Sequence, residues 1–303
     1  MNKTMHLISN AHLDPIWQWE WEEGCASAVA TFRCAARFCR EFDNYIFCHN
    51  EALIYRWVEE YDPALFREIR ELVRLGKWHI MGGWHVQPDC NMPSGEAFVR
   101  QITEGRRYFR EKFGVEPTTA INFDPFGHTR GLVQILAGTG YDSYIFCRPH
   151  EGLCHLPAET FRWVGYDGSS VIAQRAQTGY STALGNAMKK IRPTTEALTD
   201  AAPLGFCLWG VGNHGGGPSR EDIRAINAFM EEAKAEGVTV LHSTPEAYFA
   251  DVRAEAAAGT RVLPEHHGDL TAWAQGCYTS QVLIKQKYRQ TENSLFSAEK
   301  AVS

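Results

Sequence analysis

Short apolar runs alternate with longer amphipathic stretches along about the first 260 residues of the chain. This alternation is typical of parallel β-strands joined by crossover helices. It predicts seven strands, at residues 5–9, 45–48, 78–81, 119–123, 143–146, 205–209 and 238–241. Seven strands in this βα order indicate an α/β fold, either a barrel or an open doubly wound sheet.

Other patterns predict the remaining elements. The clearest helix runs from Pro63 to Leu75, with proline in its first turn and Gly76 just past its end. A D-G turn between apolar runs in residues 163–172 predicts a β-hairpin insertion. Residues 275–303 resemble one long polar helix without a terminal cap. We therefore predict an α/β domain at residues 1–267 and the beginning of a helical domain, apparently truncated, at residues 268–303.

Polar and glycine-bearing segments follow most of the predicted strands. They lie at residues 12–17, 82–94, 124–130, 148–155 and 210–219. In parallel α/β folds the carboxyl ends of the strands form the edge at which ligand and catalytic sites are built. The sequence therefore predicts a functional site at this edge.

Composition excludes several classes of partner. A formal net charge of −6 without a basic block argues against nucleic acid. No segment has the roughly 20 apolar residues that a membrane span requires, and the first residues lack the pattern of a secretory signal. The nine cysteines are odd in number and contain no C-x-x-C pair, which favours reduced, mostly buried thiols. We expect a cytoplasmic protein.

Three acidic or imidazole side chains follow two of the strands. His12 and Asp14 stand two positions apart, so in extended backbone both point to one side and can reach a single cation. A hydrogen-bonded pair at a strand end is the alternative. Asp124 ends another strand, and Pro125 with Gly127 fixes a turn that directs its carboxylate to the mouth of the fold. A helix cap is the alternative there.

Two further groups could assist the chemistry. Arg148 follows the next strand and would lie beside Asp124, orienting its carboxylate; a surface arginine is the alternative. The glycine-rich loop at residues 212–218 lacks the G-K-[ST] ending of a phosphate-binding loop and leads to Ser219, a predicted helix cap. His214 in this loop could donate a proton or act as a distant ligand.

Four aromatic side chains could form platforms for the apolar face of a sugar, with core packing as the alternative role. They are Trp17, Trp84, Phe126 and Tyr278.

Six segments occur in order along nearly the whole chain. They are HLDPIW (12–17), GGWHVQPDCNMPSGEAFVRQ (82–101), FDPFGH (123–128), FRWVGYDGSSV (161–171), GNHGGGP (212–218) and YTSQVLIKQKYRQTENSLFSAE (278–299). Together they resemble glycoside hydrolase family 38, the class II α-mannosidases. The resemblance implies a distorted seven-stranded β/α barrel that carries a zinc ion, followed by a three-helix bundle and β domains.

The resemblance also implies roles for individual residues. The H-x-D pair and the aspartate of D-P-F-G-H correspond to metal ligands, namely His12, Asp14 and Asp124, and the same aspartate corresponds to the nucleophile. The expected ion is Zn²⁺, with another divalent ion as the alternative. The resemblance implies that the ion would orient a mannose ring through its hydroxyls and that hydrolysis of a terminal α-mannosidic linkage would proceed with retention.

The resemblance assigns the surroundings of the sugar as well. Trp17 and Phe126 correspond to aromatic residues around a bound mannose, and Arg148 to a basic residue that supports the nucleophile. The expected substrate is a mannose-containing oligosaccharide or mannoside, and a homo-oligomer is compatible with the sequence. Trp84, Asp89 and Tyr278 are further candidates for substrate contacts.

The sequence departs from the family pattern at three points. Asn213 and His214 stand where relatives often have an aspartate, so His214 is the first candidate for the acid and Asp89 the second. Gln87 replaces a common glutamate. The sequence ends before the H-D motif that supplies a fourth metal ligand. We therefore expect weakened metal binding and little activity from this chain alone.

Two other functions remain open from the sequence. A metal-dependent carbohydrate deacetylase on a similar barrel also uses Asp and His ligands, but it requires a base separate from the metal carboxylates and forms no glycosyl intermediate. A non-catalytic carbohydrate-binding fragment is the third possibility.

Overall fold

A computed structural model of the chain describes residues 3–212 and 214–303. The strands of this part are β1 (Lys3–Asn10), β2 (Phe47–His49), β3 (Trp78–Ile80), β4 (Thr119–Asn122), β5 (Ser143–Phe146), β6 (Thr160–Val164), β7 (Ser170–Arg175), β8 (Leu204–Trp209), β9 (Val238–His242) and β10 (Glu265–His266). Its helices are α1 (Trp21–Glu41), α2 (Ala52–Tyr61), α3 (Pro63–Arg74), α4 (Gly95–Phe113), α5 (Leu132–Gly138), α6 (Met188–Glu196), α7 (Arg220–Ala235), α8 (Pro245–Ala257), α9 (Gly276–Thr279) and α10 (Val282–Val302). None of these helices combines the length and apolar character needed to cross a bilayer.

The first sheet is parallel and is built around β1. Strand β8 pairs with residues 4–9 of β1, β9 with residues 3–7, and β2 with residues 9 and 10, while β3 extends the sheet beyond β2. Because all these strands run in one direction, the residues after β1, β2 and β3 meet at one edge.

The second sheet has the order β10-β6-β7-β5-β4. Strands β6 and β7 form an antiparallel pair, which confirms the predicted hairpin. Strand β7 also pairs in parallel with β5, so the hairpin belongs to the sheet and is not an insertion outside it. The parallel α/β class is confirmed.

The predicted closed barrel of seven strands is not found among the described residues. The two sheets have five strands each, and β3 does not pair with β4. The carboxylate of Glu246 lies between these strands: its Oε2 is 2.6 Å from His79 Nε2, and its Oε1 accepts a hydrogen bond from Thr119 N at 3.3 Å. Burial alone would raise the pKa of Glu246, but the hydrogen bond and charge of His79 lower it. The Glu246 side chain thus connects β3 and β4, where a barrel would have backbone hydrogen bonds between the two strands.

The two sheets nevertheless enclose a shared core. One buried apolar cluster combines residues of β1, β4, β5, β7 and β8, among them Ile8, Ile121, Ile145, Ile172 and Leu208. Two further clusters lie between the sheets and the surrounding helices. The sheets therefore face each other across one apolar layer.

Local sequence patterns predicted the bounds of α3 and the start of α7 to within one residue. Helix α3 begins at Pro63 and ends at Arg74, and Asp62 caps it by accepting a hydrogen bond from Leu65 N at 3.0 Å. The predicted cap of α7 is also confirmed, because Ser219 Oγ accepts a hydrogen bond from Asp222 N at 3.0 Å.

The predicted single helix at residues 275–303 is wrong. Gln281 has a left-handed backbone (φ 52°) between α9 and α10 and interrupts it. Helix α10 docks through Glu292, which accepts a hydrogen bond from Ser94 Oγ at 2.8 Å. Before these helices, Leu270 is fully buried and exchanges two backbone hydrogen bonds with His128. The chain just after residue 267 thus packs on the second sheet, and the domain division stays a prediction.

Helix α4 approaches the segment after β3 without space for a side chain. A Cβ on Gly105 would overlap the backbone of Gly83 and Trp84, whereas one on Gly138 of α5 would have no neighbour within 4 Å. We expect Gly105→Ala to destabilise the fold by about 3 kcal/mol. As the control, Gly138→Ala should lie within about 1 kcal/mol of the parent chain. Urea unfolding measures both, and equal stabilities of the two variants would contradict the close packing.

Candidate active site

A cleft of about 510 Å³ opens at the carboxyl ends of the parallel strands. Segments after β1, β2, β3, β4 and β5 contribute to it in turn. The lining residues are His12, Asp14, Pro15, Ile16, Trp17, Glu51, Val86, Gln87, Pro88, Asp89, Asp124, Pro125, Phe126, Arg148 and Trp273. The predicted site at the carboxyl ends of the strands therefore coincides with a cavity.

Three side chains of the cleft converge from the two sheets. His12 Nε2 lies 3.3 Å from Asp14 Oδ1 and 3.9 Å from Asp124 Oδ2. One donor atom from each residue lies within 4.8 Å of the other two. His12 and Asp14 follow β1, whereas Asp124 follows β4, so this convergence depends on how the sheets face each other. The structure brings together the three residues that sequence analysis placed at one cation.

The donor set fits a divalent ion. The His12 side chain is only 5% exposed, and neither ring nitrogen makes a well-formed hydrogen bond to a described residue. Burial alone would lower the pKa of His12, but the carboxylates of Asp14, Glu51 and Asp124 raise it above the usual value. An imidazole nitrogen with two carboxylates is a ligand set that zinc uses in proteins.

Arg148 fixes the carboxylate of Asp124 from the other side. Its Nη1 forms an ion pair with Asp124 Oδ1 and donates a hydrogen bond to the Asp124 carbonyl oxygen at 2.9 Å. Its guanidinium lies over the Trp273 ring, 4.2 Å from the centroid. The predicted neighbourhood of Arg148 and Asp124 is thus observed.

His128 supports this pair from the core. Its Nε2 lies 3.0 Å from the Arg148 carbonyl oxygen and its Nδ1 lies 2.6 Å from Tyr144 Oη. Burial lowers the pKa of His128 to about 3, so the ring is neutral. We infer that Nε2 donates to the carbonyl and Nδ1 accepts from the tyrosine. The histidine of D-P-F-G-H therefore holds the loop that carries Arg148.

Three of the four predicted aromatic platforms lie at or next to the cleft. Trp17 is 61% exposed, and Phe126 stacks on Trp273 with 5.5 Å between ring centroids. Tyr278 packs edge-on against Phe126.

The prediction for Trp84 is wrong, because its side chain is fully buried. It packs in the core of the second sheet, 6.0 Å from the Tyr141 ring. Trp84 is therefore part of this core and does not line the cleft.

His214 does not join the site either. Its Nε2 lies 2.8 Å from Glu23 Oε1, its ring stacks on Trp19, and it is absent from the cleft lining. The structure therefore does not bring this candidate acid to Asp124, because its ring packs on Trp19 and contacts Glu23 of α1 instead. Asn213 lies outside the described residues. Gly212 approaches His12 closely, as a Cβ there would lie 3.2 Å from His12 Cβ.

Asp89 and Gln87 both lie in the cleft. Asp89 Oδ1 accepts hydrogen bonds from the backbone N–H groups of Asn91 and Met92, each at 2.8 Å. The Gln87 side chain accepts a hydrogen bond from Phe123 N at 2.9 Å, and Gln87 N donates to Glu51 Oε1 at 3.0 Å. These bonds fix the loop after β3 against the end of β4.

Sequence analysis missed three residues of the site. Glu51 directly follows β2, so the strand-end rule that found the other residues could have identified it. Tyr180 stacks on His12 with 4.3 Å between ring centroids, and burial together with the Asp124 carboxylate raises its pKa. Neither Tyr180 nor Trp273 directly follows a strand, and nothing in the sequence marks them.

The comparison with protein families is decisive for the classification. The family model described as the glycosyl hydrolases family 38 N-terminal domain matches residues 2–276. The chain belongs to glycoside hydrolase family 38. The resemblance of the six sequence motifs is thereby confirmed.

Family 38 relatives match almost the whole of this chain. Alpha-mannosidase G of Dictyostelium discoideum is 27% identical over 307 residues, covering 98% of this chain and 27% of the relative. Human alpha-mannosidase 2C1 is 27% identical over 304 residues, covering 98% and 28%. An alpha-mannosidase structure from Enterococcus faecalis V583 superposes with a TM-score of 0.74 at 18% identity, covering 89% of this chain and 31% of that one. The chain thus spans just over a quarter of the length of its curated relatives.

Removal of one candidate ligand tests whether this triad binds a divalent cation. We expect His12→Ala to weaken Zn²⁺ binding by about 100-fold, because it removes one of the three donor groups. His155→Ala removes an exposed histidine and is the control. Competition with a chromogenic chelator measures the affinity, and equal affinities of the two variants would exclude His12 as a ligand.

Proposed function

We propose that this chain is the catalytic domain of a retaining, metal-dependent α-mannosidase that hydrolyses terminal α-mannosidic linkages. One observation carries the proposal: Asp124 lies between Arg148 and the pair His12 and Asp14 in a cleft of a family 38 chain. A carboxylate in this position can both bind a cation and attack a sugar.

His12, Asp14 and Asp124 would hold Zn²⁺ or another divalent ion. The bound ion supplies Lewis acidity and a template for the hydroxyls of the sugar ring. Trp17, and Phe126 stacked on Trp273, offer apolar surfaces in the cleft to the sugar ring. The cleft has a volume in the range of small-ligand sites.

Asp124 is the proposed nucleophile. Its ion pair with Arg148 holds the carboxylate in a fixed orientation, so little reorganisation is needed for attack. A bond forms between an Asp124 oxygen and the anomeric carbon while the bond to the leaving oxygen breaks. Water then hydrolyses the glycosyl ester and regenerates Asp124.

Asp89 is the proposed proton donor to the leaving oxygen. The acid must lie within hydrogen-bond reach of the leaving oxygen, so its side chain must face the cleft. Asp89 lines the cleft and is partly exposed, with two backbone hydrogen bonds fixing Oδ1. Glu51 is too deeply buried for this role, and His214 is held outside the cleft.

A mannose-containing oligosaccharide or a mannoside is the proposed substrate, on the strength of family membership. A carbohydrate deacetylase is not favoured, because the family and its named relatives are glycosidases. The cytoplasmic location and a homo-oligomeric state stay predictions.

Covalent trapping tests the nucleophile. A 2-deoxy-2-fluoro mannosyl reagent slows breakdown of the ester, so we expect peptide mapping to find the label on Asp124. Asp124→Asn should not be labelled. Asp251→Asn removes a carboxylate outside the cleft lining and should still be labelled, so it serves as the control. Label on another residue would refute Asp124 as nucleophile. Mannose binding by a metal-loaded chain without label or hydrolysis would instead indicate a binding module.

The acid can be tested with two leaving groups. We expect Asp89→Asn to lower kcat about 100-fold or more on an alkyl mannoside but far less on a dinitrophenyl mannoside, whose leaving group needs no proton. His214→Ala is the matched control and should affect both substrates equally and weakly. Steady-state kinetics measure the difference. A leaving-group dependence in His214→Ala instead of Asp89→Asn would reverse the assignment.

A further inference from the structure

Glu51 is a buried carboxylate in the wall of the cleft. Only 2% of the residue is exposed, and Oε1 accepts hydrogen bonds from the backbone and side-chain N–H groups of Gln87. Oε2 has no hydrogen-bond partner among the described residues. An ionised oxygen without a partner is costly to bury, so a function for this group is expected.

The usual structural roles of a buried glutamate do not account for Glu51. It precedes α2, but its side chain does not cap the helix. It forms no ion pair with a described lysine or arginine. Its backbone has φ 68°, a left-handed conformation that residues other than glycine rarely adopt. Such a conformation is maintained when the surrounding structure requires the side chain at that place.

The charges of the cleft suggest what that requirement is. Besides Asp89, the proposed proton donor, the lining contains the three carboxylates of Asp14, Glu51 and Asp124, and Arg148 is its cationic residue. Ionised, these four groups leave two negative charges in a partly buried space. Glu51 lines the same cleft as His12 and Asp14. A divalent cation among them would balance the charge of the whole group.

We propose that Glu51 is a positioning residue of the metal centre, which raises the affinity for a divalent cation through its charge and its proximity to His12. The inference rests on the metal site in the proposed function. Gln87 stands where the family resemblance implies a glutamate, and its amide hydrogen-bonds to Glu51. Glu51, which lies after the neighbouring strand β2, thus provides the carboxylate that is absent at position 87.

Metal affinity is the first test. Glu51→Gln keeps the shape and the acceptor for Gln87 N but removes the charge, and we expect it to bind Zn²⁺ about 10- to 100-fold more weakly. Glu60→Gln removes an exposed carboxylate from the end of α2 and is the matched control. Chelator competition gives both affinities. Equal affinity of the two variants would overturn the proposal.

Stability without metal distinguishes this role from a structural one. Metal-free Glu51→Gln should have a Tm no lower than the parent chain, because it removes an uncompensated carboxylate. Saturating Zn²⁺ should raise its Tm by about 3 °C less than that of the parent. A lower metal-free Tm with an unchanged rise on Zn²⁺ addition would make Glu51 merely structural.

A relocated charge completes the test. Glu51→Gln combined with Gln87→Glu returns a carboxylate to the same contact, and we expect it to recover part of the lost Zn²⁺ affinity. Absence of any recovery would count against a charge effect. His12→Ala separates this inference from the proposed function: if that variant binds Zn²⁺ normally, the metal site itself is wrong. If His12→Ala weakens Zn²⁺ binding but Glu51→Gln does not, the metal site is supported and the proposed role of Glu51 is wrong.

Discussion

Like charges gathered in a confined cleft are the constraint on which this structure depends. Asp14, Glu51 and Asp124 share this cleft with His12, and Arg148 offsets one of their three negative charges. Carboxylates repel one another strongly where water is scarce, so the surrounding chain must hold them in place. It does so with short, directed contacts: Arg148 pairs with Asp124, and His128 fixes the Arg148 backbone from the core. A divalent cation would turn this repulsion into attraction.

The edge at which β3 and β4 lie without pairing also contributes to the site. At one end Glu246 connects β3 to β4. At the other, the Gln87 side chain accepts from Phe123 N at 2.9 Å, and Asn122 Nδ2 donates to the Pro88 carbonyl oxygen, also at 2.9 Å. Side chains therefore replace a strand ladder along this edge. Because no ladder closes the sheet here, the loop after β3 can turn into the cleft beside Asp124.

Family membership and geometry support different parts of the functional proposal. The match to family 38 favours a mannoside substrate over the deacetylase alternative. The geometry favours Asp124 as nucleophile, since this carboxylate faces both a guanidinium and the proposed ligands. It also favours Asp89, the second candidate from the sequence, over His214 as the acid, because Asp89 lines the cleft and His214 does not.

The α/β class, most strand positions, the hairpin and the helix caps could be predicted from the sequence, because these depend on local patterns of polarity and on capping residues. The sequence also placed His12, Asp14, Asp124 and Arg148 at one edge of the fold, since each directly follows a strand or lies close behind one. The pairing of the strands in two five-stranded sheets, the burial of Trp84, and the positions of Glu51 and Trp273 in the cleft lining became evident only from the folded structure. Those outcomes arise from contacts between residues far apart in the chain, which no local pattern encodes.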